Sequence, residues 1–154
     1  MQKVMDTIND SLTNKLLRLE SFLNQITEGI LMIAEEIDHC NLKTAMTAVA
    51  VETKQCAEEI CIQLHDLNVY IPPTNDQIWE NIEGSITSQA SSLKGAEVVA
   101  LCNSLEIYYN NLYTDVLKEC FPYKGLKDII TYQLYAIQCA FMKIRLLNTL
   151  RFDH

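Results

Sequence analysis

The stretch Leu12-Thr-Asn-Lys-Leu16-Leu-Arg-Leu19-Glu-Ser-Phe-Leu23-Asn-Gln-Ile26-Thr-Glu-Gly-Ile30-Leu-Met-Ile33 carries apolar residues at alternating steps of four and three, and Ile37 continues the row. On a helix of 3.6 residues per turn this spacing lays one unbroken seam along one side. A seam of that length has to be buried against other helices. The first predicted helix runs over 11–38, with Asp10 or Ser11 as its N-cap.

Three further segments repeat the design. A second helix is predicted over 42–68, with Leu42, Met46, Val49, Thr53, Cys56, Ile60, Leu64 and Leu67 inward and with Pro72 and Pro73 ending it. A third covers 96–119, with Val98, Leu105, Tyr109, Leu112 and Val116 inward. Pro122 and Gly125 break the chain before a fourth over 126–150, whose inward stripe is Ile130, Gln133, Ile137, Phe141, Ile144 and Asn148.

The connections set the expected topology. Helices 1 and 2, and likewise 3 and 4, are joined by a few residues, so each pair is an antiparallel hairpin. Between helices 2 and 3 lies the long segment 69–95, where a simple alternating bundle needs only about 2–8 residues. Such a segment can travel back along a helix about 40 Å long and leave helices 2 and 3 parallel. Within it, Thr74-Asn-Asp-Gln77 reads as a capping box opening a short helix with Ile78, Trp79, Ile82 and Ile86. The expected fold is all-α: a ferritin-like four-helix bundle of two antiparallel hairpins joined by a long crossover containing a short helix, as a single domain over 1–154. Two separate domains are the alternative, but each hairpin alone would bury too small a core.

Composition agrees. The 154 residues are 49% hydrophobic with only 4 glycines and 3 prolines, which favours long helices over a turn-rich β fold. Acidic residues outnumber basic ones by 20 to 12, a net charge of −8, so no nucleic-acid or membrane partner is expected. The opening Met1-Gln-Lys-Val-Met-Asp-Thr-Ile8 has no signal-peptide-like apolar run, and no stretch approaches the ~20 apolar residues that span a bilayer. The six cysteines lack zinc-site or thioredoxin spacing. Four of them (56, 61, 102 and 120) fall on or beside predicted core faces, so they read as reduced thiols of a cytoplasmic protein.

A bundle of this type raises the question of a two-metal centre, which needs a Glu from each of two helices and Glu-x-x-His from the other two. Glu28 points about 170° from the first seam, and Glu20 and Glu36 lie a right angle or more away. Glu52 flanks the second stripe, but Gln55 stands where a His is required. Glu106 sits on the shoulder of helix 3 beside Cys102, Tyr109 and Tyr113, and is the best-placed carboxylate. Gln133 lies in the fourth stripe and is followed three residues later by Ala136. His39, His65 and His154 lie at helix ends or the terminus, out of reach of a mid-bundle site. Thr53, Glu106 and Gln133 are therefore expected to form a small buried polar network that fixes helix register. Iron or manganese held by Glu52 and Glu106 is the alternative.

Helix 4 carries a second apolar row opposite its seam: Tyr132, Tyr135, Cys139, Met142 and Leu146. A helix apolar on two faces is covered on both. The expected cover is the crossover, through Trp79 and Ile82; a symmetric homodimer or another protein partner is the alternative.

With the helices placed, the chain resembles a small bacterial family of ferritin-like proteins distantly similar to rubrerythrins, over about 12–150. The resemblance rests on Thr27-Glu-Gly29, Val51-Glu-Thr53, Leu101-Cys102 leading to Glu106, and Ile130-Thr-Tyr-Gln133 with Lys143-Ile144. It implies a ferritin-like bundle with inward carboxylates, which Glu52 and Glu106 match. Positions that tend to be polar in that family are Ala136 and Phe141 here, which implies a degenerate, non-redox member. The expected function is structural or partner-binding, without catalysis. Two alternatives are a metal-binding or stress-related protein with an incomplete carboxylate site, and a small-molecule carrier using space near Gln133.

Overall fold

The structure, a computed structural model, describes residues 8–72 and 95–151. Among them are four helices and no strand: α1 (Asp10–Glu35), α2 (Cys40–Asp66), α3 (Gly95–Leu117) and α4 (Lys124–Arg151). No helix among the described residues is long and apolar enough to cross a membrane. The crossover helix expected around Ile78, Trp79, Ile82 and Ile86 lies outside the described residues.

Local chemistry explains where each helix starts and stops. The N-cap of α1 is Asn9, one residue before the expected Asp10, because its side-chain oxygen accepts the Leu12 N–H at 2.7 Å. Its amide nitrogen donates to the Cys120 carbonyl at 3.1 Å and so ties the start of α1 to the α3–α4 connection. Asn9→Ala removes both bonds and is expected to cost about 1–2 kcal/mol in a urea melt; a loss no larger than that of an exposed mid-helix Asn→Ala control would contradict the double role. His39 caps α2 through Nδ1, which accepts the Leu42 N–H.

The stop of α2 is not the prolines. Asn68 adopts the left-handed conformation (φ 61°). The Val69 N–H reaches the Leu64 carbonyl at 2.9 Å and the Asn68 N–H reaches the His65 carbonyl at 3.0 Å. This Schellman closure satisfies the final carbonyls four residues before Pro72. Gly125, expected as a breaker, lies inside the first turn of α4 with an ordinary φ.

Side-chain contacts give the helix directions. Lys15 and Asn9 at the start of α1 meet Glu119, Asp115 and Cys120 at or beyond the end of α3, so these helices run oppositely. Met46 meets Cys102 and Thr53 meets Tyr109, so α2 and α3 run the same way across the centre. Around the bundle each helix packs on its neighbours in the order α1, α2, α4, α3.

All eight residues of the α1 seam are buried, Ile37 included although it follows the helix end. Every α2 stripe residue is buried except the half-buried Leu67. On α3 the inward set differs from expectation: Tyr113 is fully buried and Leu112 only half-buried. The α4 stripe is buried through Ile144, while the side chain of Asn148 is outside the described set. At mid-height Phe22, Tyr109 and Phe141 fill the centre, with Tyr109 5.0 Å edge-on from Phe22 and 5.3 Å from Phe141 between ring centroids.

Candidate functional site

Polar groups reach this apolar centre from three helices. Thr53 of α2 sits one turn above Val49 and donates back to its carbonyl at 2.7 Å. The Thr53 oxygen lies 2.9 Å from the hydroxyl of Tyr109, which is fully buried. One turn along, the Tyr113 hydroxyl donates to Gln133 Oε1 at 2.9 Å. Gln133 Nε2 donates to the Cys56 carbonyl at 3.2 Å and to Glu59 Oε1 at 2.9 Å. One buried amide thus links α2, α3 and α4, and both amide ends are satisfied, as burial demands.

The three residues expected to share one network are therefore divided. Thr53 and Gln133 are buried and bonded, each to a different tyrosine. Glu106 takes no part: its Oε1 accepts from Arg145 Nη1 at the α3–α4 edge. Glu52 lines the groove between α2 and α4, where the Cys56 thiol approaches its carboxylate at 4.0 Å. The two candidate metal ligands thus lie on opposite flanks of α4. Among the described residues no three His, Cys, Asp or Glu side chains stand close enough together to hold an ion. His39 is engaged as a cap, His65 is exposed at the end of α2, and His154 lies outside the described residues.

The electrostatics suppress reactivity. Burial pushes the Cys56 and Cys102 thiols up to about 12, so both stay protonated at neutral pH and are poor nucleophiles. Burial also raises Tyr109 and Tyr113 well above the ordinary phenol value, which keeps their hydroxyls as neutral hydrogen-bonding groups. Cys102 Sγ contacts Met46 Sδ at 3.3 Å as a packing pair.

One carboxyl departs from its sequence position. Glu20, off the seam, is only 8% exposed and accepts from the Asn24 amide at 2.6 Å. Burial raises its pKa above the ordinary 4.5, with the Asn24 bond opposing. A raised carboxyl is protonated more readily in the fold than in the unfolded chain, so its penalty is absent below about pH 4.5 and complete above the raised value. Glu20→Gln is expected to stabilise the protein at pH 7 and to leave it unchanged at pH 4 by urea midpoint. Equal gains at both pH values would show that the charge is not the cause.

The second row of α4 is open to solvent: Tyr132 is 70% exposed, Tyr135 62%, Met142 49% and Leu146 55%, with Cys139 exposed between them. Cover by Trp79 and Ile82 lies outside the described residues.

The pairing of Arg145 with Glu106 and of Glu59 with Gln133 is not visible in the period of any single helix. The usable signal is that Glu106 and Arg145, Asn110 and Gln138, and Tyr113 and Gln133 lie at nearly equal separations on either side of the α3–α4 connection, as an antiparallel hairpin requires. No family model, curated protein or solved structure matches the chain.

Proposed function

We propose that the chain is a ferritin-like bundle, two antiparallel hairpins joined by a crossover, that serves a structural or partner-binding role without catalysis. Its metal site is degenerate in this reading. The observation that carries it is the fate of the two carboxylates: α4 stands between Glu52 and Glu106, and a guanidinium supplies the positive charge beside Glu106. A metal ion at Glu106 would have to displace Arg145, and Phe22, Tyr109 and Phe141 occupy the middle of the bundle. The protonated buried thiols and the free Cys40, Cys120 and Cys139 suit the reducing cytoplasm.

Elemental analysis of protein purified without chelators tests the reading. The expected result is iron, manganese and zinc far below one ion per chain, unchanged in Glu106→Ala. A stoichiometric metal lost in that variant would overturn it in favour of a metal-binding protein.

A further inference from the structure

The chain's charge is distributed unevenly. Helix α4 holds Lys124, Lys127, Lys143, Arg145 and Arg151 against Asp128 alone, a net +4, so the other 126 residues carry −12 of the total −8. The exposed row of Tyr132, Tyr135, Cys139, Met142 and Leu146 runs along this one basic helix for about 21 Å at 1.5 Å per residue. Beside it a trough between α2 and α4 is floored by Ala45, Ala48, Ala136 and Ala140 and rimmed by Tyr135 and Lys143, with a cavity volume of about 380 Å³. Among the described residues Glu52 is the one acid on that rim.

Among the described residues, two of these cations have no ion-pair partner. Lys124 is committed to Asp128 at 2.9 Å and Arg145 to Glu106. Lys127 and Lys143 are exposed without an ion pair among the described residues, on either side of the apolar row. At 100° per residue Lys143 falls about 60° to the α2 side of the row's centre and Lys127 about 100° to the other side.

We infer that this face docks an amphipathic helix of a protein partner, with an apolar row laid on Tyr132–Leu146 and acidic side chains reaching Lys127 and Lys143. Helix-in-groove recognition needs an apolar stripe with spaced anchors and a trough, and both are present. Charge selects among the occupants. A second copy docking through the same face would add its own unpaired Lys127 and Lys143 to the same basic surface, which opposes an isologous dimer. An anionic membrane is flat, so it would bring the acidic α2 surface, with Glu52, Glu58 and Glu59, to its headgroups as well. A single helix laid along the row meets Lys127 and Lys143 on its two sides and, of these three acids, only Glu52 on the trough's rim. At physiological salt the screening length is about 8 Å, so it senses the local cations more than the acidic remainder of the chain.

The inference rests on the partner-binding reading above but is tested separately, since metal content decides that reading and peptide binding decides this one. The probes are two fluorescein-labelled synthetic helices of about three heptads with identical Leu/Met rows, one flanked by Glu and one by Lys. The expected result is anisotropy binding of the Glu-flanked peptide at least about tenfold tighter than the Lys-flanked one, weakening as salt rises. Met142→Glu with Leu146→Glu should abolish binding. Lys127→Glu with Lys143→Glu should reverse the preference while leaving the circular dichroism unchanged, since all four positions are exposed. Binding of neither peptide, or of both equally, would overturn the proposal. So would co-sedimentation with phosphatidylserine vesicles, or a doubled mass in light scattering that Met142→Glu returns to monomer.

Discussion

Gln133→Glu is expected to destabilise the bundle by about 3–5 kcal/mol at pH 7, because it places an unpaired charge at a buried position. Only oxygens would then face Glu59, whose Oε1 accepts from the amide at 2.9 Å, and the Cys56 carbonyl would lose its donor. Burial and the neighbouring carboxylate both raise the pKa of the introduced carboxyl. The penalty is therefore small below about pH 4.3, where the group is protonated folded and unfolded alike, and it grows until pH passes the raised folded value. Gln133→Leu is the control. It removes the same bonds without adding a charge and should cost about 1–3 kcal/mol, with little pH dependence. Urea unfolding of both variants at pH 4 and pH 7 separates the effects. Parallel losses for the two variants at both pH values would mean that position 133 is open to water.

Tyr109→Ala is expected to cost a comparable about 3–5 kcal/mol, as large aromatic truncations in closed cores do. The ring touches Phe22 and Phe141, so its removal opens a cavity bordered by α1, α3 and α4. Tyr109→Phe keeps the ring and loses only the hydroxyl. Thr53 retains its bond to the Val49 carbonyl, so this change should cost only about 1 kcal/mol. A cycle with Thr53→Val should return a coupling of at least about 0.5 kcal/mol, since the two oxygens lie 2.9 Å apart. An alanine variant as stable as the phenylalanine one would show that the centre is loosely packed.

The bundle was legible because burial follows the helical period. The α1 seam needed no partner to be recognised, and each of its members is buried. What a single helix cannot reveal is which residue on a neighbour stands opposite. The helical period puts Glu106 on a shoulder of α3, but its bond to Arg145 depends on the register of the α3–α4 hairpin. Gln133 was recognised as inward, yet Tyr113 and Glu59 complete its bonds from two other helices. Resolution within one helix is also finite. Neighbouring residues differ by about 100°, and on α3 that placed Leu112 in the core where Tyr113 lies deeper. Phe22 was missed for a similar reason, because it flanks the seam and is fully buried. Helix ends were misread where the decisive group acts through its own backbone or side chain: Asn9 as a cap, Asn68 as a left-handed stop.

The direction of α3 relative to α1 underlies both the parallel course of α2 and α3 and the tyrosine pairings, and zero-length carbodiimide crosslinking with peptide mapping reads it directly. Lys15 Nζ lies 2.6 Å from Glu119 and 3.2 Å from Asp115, so an amide bond joining Lys15 to the end of α3 is the result this structure requires. Lys15 joined instead to Glu97, in the first turn of α3, would reverse that helix and contradict the arrangement described.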